Sequence, residues 1–529
     1  MNTKVHLTDL GKPTDSQRRR GGGREARRAN RLSDSGPSAV QAGLQGGRYK
    51  PLTDTDIEKV HGAVLEVLET VGIGDPTQEV IDICVPKGAM LSDDNRLCFP
   101  RTLMEDVLAM SAKEYVVHAR GSRAGKDDVS TTDQKVFYAI SGQAVTRLDA
   151  ESLTYRPSTI RDIYDFTRVV DVSEHIHMAG VPVVATDIID PLEHDINCAY
   201  AVMAATEKSF SMSFTSKENL AKGVELFDHV AGGEGKFSRE PFCIFGGCPL
   251  VSPLRFGEEN LDILIETARR GLICDLAVAP QAGATAPASL AGTLVQVVAE
   301  TLAALAIVNL TNPGCPMTFA AWPFVSDLRT GAFSGGSGEE GLLAAASVQI
   351  GSWYGLPTSV PACMTDSKIP DAQMGYEKGM TAVLASLAGC NRVSECAGMM
   401  GSLMGISLES LIIDNDMLGS AMRVVRGIEV NDDTLAVEVI REVAKGPGHY
   451  LGHDQTIALM QSEFLYPTIA DRQPQGAWEE QGSPSIFDRA RERVQEILSG
   501  HYPQHLAGET DAVIRDAFTI HLSTSDLGR

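Results

Sequence analysis

The chain has 529 residues, of which 43% are hydrophobic, enough apolar sequence for one large domain or for two to three average ones. It carries 69 acidic and 46 basic side chains, a formal net charge of −23, and this balance argues against a nucleic-acid partner. The ten cysteines contain no C-x-x-C pair, so we expect reduced thiols and neither a disulfide framework nor a zinc site. We find no secretory signal and no apolar run that suggests a membrane span, which predicts a cytoplasmic protein without a membrane partner.

The first 48 residues differ in composition from the rest of the chain. The stretch "RRRGGGREARRANR" (18–31) is rich in Arg and Gly and has almost nothing apolar to bury, so a disordered basic tail is predicted over 1–48. An N-terminal extension with helical and β-hairpin segments is predicted over 49–170. Within it, "DIEKVHGAVLEVLETVG" (56–72) has the spacing of an amphipathic helix ended by Gly72, and 135–157 reads as short strands around Gly142.

Strand-like apolar runs alternate with helical patterns over 171–470. The helical patterns are clearest at 288–309 and 338–350, and capping-box spacings pair Thr215 with Glu218 and Ser337 with Glu340. Eight such units predict an α/β fold, a (β/α)8 TIM barrel, followed by a helical extension over 471–529. The alternative is a doubly wound open sheet, although no G-x-G-x-x-G follows the first strand. The expected strands begin near His177, Lys208, Phe242, Ile273, Cys315, Thr358, Arg392 and Ile406.

Carboxylates and aromatic residues dominate the positions that follow these strands, where a barrel places its active site. Trp322, Phe324, Phe214 and Tyr376 could surround a quaternary ammonium ion, because aromatic faces attract a cation that accepts no hydrogen bonds. The alternative is that these aromatics cap the core.

One histidine pair, His449 and His453, has the four-residue spacing of metal ligands. The Gly and Pro residues before it indicate that a helix only begins there. Loop packing or an N-terminal cap is the competing interpretation, and we expect no bound metal.

The stretch "MTDSKIPDAQMGYEKGMTAVLASLAGCN" (364–391) resembles the trimethylamine methyltransferase family, the cobalamin-linked methylamine methyltransferases. The segments "WPFVSDLRTGAFSGGSGE" (322–339) and "DNDMLGSAMRVVRGIEV" (414–430) are also similar, and the resemblance extends collinearly over nearly the whole chain. It implies a TIM barrel. Archetypal members carry an electrophilic pyrrolysine that we align with Met364, whereas relatives without it are associated with quaternary amines such as glycine betaine.

The resemblance implies methyl transfer from a quaternary or tertiary methylated amine to the Co(I) of a cognate corrinoid protein, which carries the cobalamin, and it implies a homo-oligomer. A quaternary nitrogen leaves as a neutral tertiary amine, so neither a general acid nor a zinc Lewis acid is needed. The alternatives are a corrinoid-linked demethylase of another methyl donor and a non-catalytic betaine-binding relative. The expected roles are an inert wall for Met364; charge balance or loop ordering for Asp366, Glu377 and Glu395; a cation cage of Trp322, Phe324, Phe214 and Tyr376; and carboxylate contacts from Gln281, Arg329 and Lys368.

Overall fold

The computed structural model describes residues 38–528. Most of the predicted disordered tail, residues 1–37, lies outside the described residues, so that prediction is untested. The described chain forms two compact units. One consists of 38–41 and 426–466, and the other of 42–425 and 467–528. The second unit contains every parallel strand and every residue of the predicted site.

Eight strands of this second unit form a continuous series of parallel neighbours, in addition to shorter parallel pairs elsewhere in the unit. Apolar, β-branched and small residues dominate them and nearly all are buried, as expected for parallel strands covered on both faces. They are β1 (Lys135–Tyr138), β2 (Ala179–Gly180), β3 (Phe210–Ser213), β4 (Cys243–Gly247), β5 (Cys274–Val278), β6 (Ala320–Ala321), β7 (Ser359–Pro361) and β8 (Arg392–Ser394).

The strand order follows the chain. Strands β2 to β6 form one sheet in that order, and β7, β8 and β1 are neighbours in a second sheet. Single parallel bridges, Phe319 to Thr358 and Ala139 to Met178, connect the segments of β6 to β7 and of β1 to β2. The architecture is therefore α/β with parallel neighbours along the whole series.

The prediction that Ile406 begins the eighth parallel strand is wrong. Gly405–Ile406 pairs antiparallel with Met399–Met400 and parallel with Thr146 and Arg147. The left-handed conformations of Ser402 and Leu403 reverse the chain there, which makes a hairpin. The place beside β8 is taken by β1, which sequence alone assigned to the N-terminal extension.

A helix follows each parallel strand, and shorter elements precede, interrupt and follow the series. The eight helices are α1 (Ile160–Val172), α2 (Pro191–Ala205), α3 (Lys217–Ala231), α4 (Glu258–Arg269), α5 (Leu290–Thr311), α6 (Gly338–Trp353), α7 (Ala372–Ala388) and α8 (Leu408–Arg426). The other helices are Asp54–Thr70, Gln78–Cys84, Arg101–Met110, Lys236–Arg239, Val437–Lys445, Asp454–Glu463, Gln475–Glu480, Ile486–Gly500 and Gly508–Ala517. The other strands are Leu44–Gln45, Ile73–Gly74, Met90–Leu91, Arg96–Cys98, Val116–Val117, Val129–Ser130, Thr146–Leu148, Tyr155–Pro157, Leu250–Val251, Arg255–Phe256, Gln281–Ala282, Phe324–Ser326, Phe333–Ser334, Met399–Met400 and Gly405–Ile406.

Helix α5 lies in an apolar core, where it packs against α4, α6 and the helices Asp54–Thr70 and Arg101–Met110. It is long and apolar enough to cross a membrane by length and composition, contrary to the expectation that the sequence holds no such run. Because 83% of its most apolar 18-residue stretch is buried within the protein, the high hydropathy of α5 is explained by its place in the core.

Two predicted caps can be compared with the structure. Ser337 Oγ accepts from the backbone N–H of Glu340 at 3.2 Å, which confirms the predicted start of α6. At α3 the cap is Ser216, one residue later than predicted. The hydroxyl of Thr215 instead donates to Asp195 Oδ2 at 2.7 Å and accepts from the side-chain amide of Asn219 at 2.8 Å.

In the smaller unit, His453 caps the helix Asp454–Glu463. Its Nδ1 accepts from the backbone N–H of Gln455 at 3.1 Å, which confirms the N-cap interpretation of this histidine.

Candidate active site

A cavity of about 800 Å³ opens beyond the carboxyl ends of β5 to β8. Its walls come from the hairpin that follows β6, the loop that follows β7 and the turn 401–404 that follows β8. Four residues selected from sequence lie here. The lining residues are Gln281, Phe324, Asp327, Thr330, Ala332, Phe333, Ser334, Asp366, Lys368, Gly401, Ser402, Leu403 and Met404.

The carboxylate of Asp366 holds two of these walls together. Its Oδ2 accepts from Ser334 Oγ at 2.6 Å. Its Oδ1 accepts from the backbone N–H of Gly335 at 2.8 Å and from Ser402 Oγ at 2.5 Å. Since charge-assisted hydrogen bonds are stronger than neutral ones, this side chain fixes the hairpin and the turn around one negative charge.

Glu377, on α7, orders the loop that carries Asp366. Its Oε2 accepts from Thr365 Oγ1 at 2.5 Å and from the backbone N–H of Asp366 at 2.8 Å. A Cβ at Gly336 would lie 2.5 Å from this same oxygen, so glycine is required for the close approach of the α6 loop. Glu377 is thus a buried support of the cavity wall, and it does not line the cavity.

Aromatic rings follow one another along the β6 hairpin. The rings of Phe324 and Phe333 pack edge to face with centroids 4.6 Å apart, and both line the cavity. Trp322 packs on Phe324 at 6.4 Å. Its Nε1 is buried and has no hydrogen-bond partner among the described residues. The hairpin therefore presents a continuous aromatic face with one unused donor.

Other residues selected from sequence lie away from the cavity lining. Phe214 stacks on Phe245 and contacts Phe227, within a phenylalanine cluster beneath α3. Tyr376 is 63% exposed. The guanidinium of Arg329 is largely in solvent and pairs with Asp327 at 2.6 Å.

Met364 is completely buried below the loop that covers it. A Cβ at Gly335 would lie 3.0 Å from Met364 Cβ, so the backbone of this loop packs directly on the methionine. The side chain therefore belongs to the packed layer beneath the cavity.

Glu395 comes directly after β8 and is 2% exposed. Its Oε1 accepts from Ser141 Oγ at 2.7 Å, and its Oε2 has no hydrogen-bond partner among the described residues. Burial raises its pKa to about 7, which outweighs the opposing effects of the Ser141 hydrogen bond and of Arg392.

Sequence reasoning missed Phe333, Ser334 and Ser402. Phe333 lies two residues before the glycine pair of "SGGSGE", a stretch that indicates a turn near a strand end. Ser402 lies in the turn between Met399–Met400 and Gly405–Ile406, and the pairing of these two strands places the turn at the cavity. No local sequence pattern predicts that pairing.

Known proteins are similar in sequence to this chain over most of its length. The family description "Trimethylamine methyltransferase (MTTB)" matches residues 19–522. A glycine betaine methyltransferase of Desulfitobacterium hafniense (strain Y51) is 30% identical over 470 residues, 88% of this chain and 96% of that protein. The trimethylamine methyltransferase MttB of Desulfitobacterium hafniense (strain DSM 10664 / DCB-2) is 30% identical over 482 residues, 90% of this chain and 96% of that protein.

Among solved structures, the Methanosarcina barkeri monomethylamine methyltransferase (MtmB) aligns with a TM-score of 0.48 and 13% identity, covering 89% of this chain and 91% of that one. From the sequence matches, the protein is a methyltransferase enzyme. The chain belongs to the trimethylamine methyltransferase family.

Proposed function

We propose that this enzyme transfers a methyl group from a quaternary methylated amine, such as glycine betaine, to the Co(I) of a cognate corrinoid protein. The observation that carries the proposal is the cavity itself, because the edge-to-face pair of Phe324 and Phe333 and the carboxylate of Asp366 line the same space. Aromatic faces and a nearby negative charge favour a cation that accepts no hydrogen bonds. The names of the relatives agree with a methylated amine substrate.

The reaction needs little chemistry from the protein. The cobalt supplies an electron pair to one methyl carbon, the C–N bond breaks, and its electrons leave on a neutral tertiary amine. No proton moves, so the protein has only to desolvate the cation and point one methyl group outward. The buried walls around Phe324 and the fixed position of Asp366 suit these two tasks.

A substrate carboxylate would meet the polar part of the cavity. Gln281 lines the cavity, its Oε1 accepts from Ser326 Oγ at 2.9 Å, and its NH₂ group donates to no acceptor among the described residues. Lys368 also lines the cavity and is exposed. The two residues offer a hydrogen-bond donor and a positive charge to a betaine carboxylate. Arg329, which pairs with Asp327 in solvent, is left out of this set.

The cavity volume also favours a second reactant. At about 800 Å³, the space is larger than a small betaine fills, and pockets of this size are typical of larger ligands. With a betaine bound, the opening of the cavity would remain for the approach of the corrinoid of the partner protein. Because a methyl group moves between the two reactants, both must reach the same opening.

We infer that the eight parallel strands close into a (β/α)8 barrel whose carboxyl end is this active site. The single bridges that join β1 to β2 and β6 to β7 support closure. The catalytic domain predicted at 171–470 must then begin no later than β1, at Lys135.

Ten free thiols and an oxygen-sensitive corrinoid partner favour a cytoplasmic location. Assembly into a homo-oligomer belongs to the same proposal.

The decisive experiment incubates the purified enzyme with Co(I) cobalamin and a panel of methyl donors, and follows methylation of the cobalt by its absorbance. The expected result is turnover with glycine betaine or another quaternary amine. Turnover only with a neutral or aryl methyl donor would overturn the proposal and establish a different corrinoid-linked demethylase. Tight binding of betaines without any cobalt methylation would establish a non-catalytic binding protein.

A further inference from the structure

Glu395, at the carboxyl end of β8, contacts the segment that follows β1. The residue adopts a left-handed backbone conformation with φ of 60°, which is uncommon for a residue other than glycine. Its Oε2 lies so close to Gly142 that a Cβ there would be 2.0 Å from this oxygen. The strained backbone of Glu395 and the close approach of Gly142 thus fix the position of Oε2. This oxygen accepts no hydrogen bond from a described residue.

Small and partly accessible residues lie near this carboxylate. The neighbouring strand ends carry small residues that remain partly accessible, Ser141 and Gly142 after β1 and Gly246 and Gly247 in β4. Cys248 follows them and is the one exposed cysteine of the ten. The buried carboxylate of Glu395 therefore has partly accessible small residues of the strand ends as neighbours.

The charged groups around Glu395 are few. Arg392, on the same strand, forms a buried ion pair with Asp275 of β5, and the two charges largely offset each other. The pKa of the Cys248 thiol is raised, because surrounding protein atoms desolvate the sulfur although the residue as a whole is exposed, and because Glu395 lies nearby. The hydroxyl of Ser141 donates a hydrogen bond to Oε1 of Glu395. No cationic side chain among the described residues forms an ion pair with Glu395, so its charge has no protein counter-ion.

We propose that Glu395 is the counter-ion of the substrate ammonium group and that it loses its proton when the cation binds. The inference rests on the proposed function, because it assigns a counter-ion to the positively charged substrate that is proposed there. Asp366 is less suited to the role, since both of its oxygens already accept hydrogen bonds from the loops that it joins. Glu395 has one oxygen free, in a place from which water is excluded.

The proposal fixes the pH dependence of binding. In the free enzyme Glu395 is mostly protonated below about pH 7 and mostly ionised above it. A permanently charged ligand then releases close to one proton below that pH, and its affinity rises about tenfold per pH unit until Glu395 is ionised. Above about pH 8 the affinity levels off and no proton is released.

The test measures binding of glycine betaine and of tetramethylammonium by calorimetry, from about pH 5.5 to 8.5, in two buffers with different ionisation enthalpies. Neither ligand titrates in this range, so the buffer dependence reports protons released by the enzyme. The expected result is close to one proton at pH 5.5 and none at pH 8.5. A flat profile for the wild type would overturn the inference.

Three variants complete the design. Glu395→Gln should abolish proton release and weaken binding most at high pH, whereas Asp366→Asn should retain the release. Ser141→Ala should move the midpoint to higher pH, because it removes the hydrogen bond that favours the ionised form. A merely structural Glu395 would not shift this midpoint, and proton release by Glu395→Gln would exclude the assignment.

The two proposals fail in different ways. Cobalt methylation by betaine together with pH-independent binding would overturn only the role of Glu395. Proton-linked binding without methylation would overturn only the proposed function. If no quaternary cation binds at any pH, both are wrong.

Discussion

Lys378 and Asp414 form an ion pair that is completely buried between α7 and α8. Nζ lies 2.6 Å from Oδ2, and neither side chain has any exposed surface. The same Oδ2 accepts from the backbone N–H of Gly398 at 2.7 Å, and the Lys378 ammonium also donates to Ser410 Oγ. The pair therefore ties both helices to the turn after β8, which carries part of the cavity wall.

Removing one partner of this pair should be costly. We expect Lys378→Met to lower the free energy of unfolding by about 3–5 kcal/mol, because Asp414 would remain buried without its counter-charge. Urea denaturation followed by circular dichroism measures the change. The control is Lys222→Met, which breaks the exposed pair with Glu225 and should cost less than about 1 kcal/mol. Equal effects of the two variants would contradict this assignment.

The loop-joining role of Asp366 predicts a kinetic effect. Asp366→Asn keeps the shape of the side chain but turns one acceptor oxygen into a donor, which then faces the donors Ser334, Gly335 or Ser402. We expect kcat/KM for a quaternary amine to fall about 10- to 100-fold, a loss of about 1.4–2.7 kcal/mol. Steady-state kinetics with Co(I) cobalamin measure it. Asp262→Asn, at an exposed pair with Lys217, should leave kcat/KM unchanged.

The aromatic face predicts a change in substrate affinity. Phe333→Leu keeps an apolar side chain and removes the ring, so KM for a quaternary amine should rise about 3- to 30-fold, equivalent to the roughly 0.5–2 kcal/mol of a cation–π contact. Phe256→Leu is the matched control, because Phe256 is a buried core residue far from the cavity lining. A rise in KM that is as large in the control would show that the ring acts through general packing.

The buried carboxyl of Glu395 predicts how the stability of the ligand-free protein depends on pH. Its pKa in the folded protein, about 7, lies above the ordinary value of 4.5, so folding favours the protonated form. The wild type should therefore lose up to about 1.4 kcal/mol of stability per pH unit, relative to Glu395→Gln, as pH rises from 4.5 to 7. Thermal melts across this range measure the difference. Parallel curves for the two proteins would be inconsistent with the shifted pKa.

Local patterns in the sequence were sufficient for many elements of the fold. The spacing of apolar residues predicted a helix over 56–72, found at Asp54–Thr70, and another over 288–309, found at Leu290–Thr311. Ser337 capped α6 as expected. These signals are local, because periodicity and capping depend on residues within a few turns of one another.

The arrangement around the site depends on contacts between distant segments, and there the sequence was a weaker guide. No local signal distinguishes Lys135–Tyr138, which pairs with β8, from Gly405–Ile406, which pairs with Met399–Met400. The burial of Met364 depends on the backbone of Gly335 packing on it. Burial and free hydrogen-bonding capacity, the properties that separate Glu395 from Asp366, follow only from the packed structure.

Cys248 gives this site a built-in place for an optical label. The other nine cysteines are buried, and Cys248 alone is exposed, beside the carboxylate that we assign to the ammonium group. A small environment-sensitive maleimide dye would react there slowly, since the raised thiol pKa keeps the thiolate fraction small. Its emission would report ligand binding near Glu395 directly, without cobalt and without turnover.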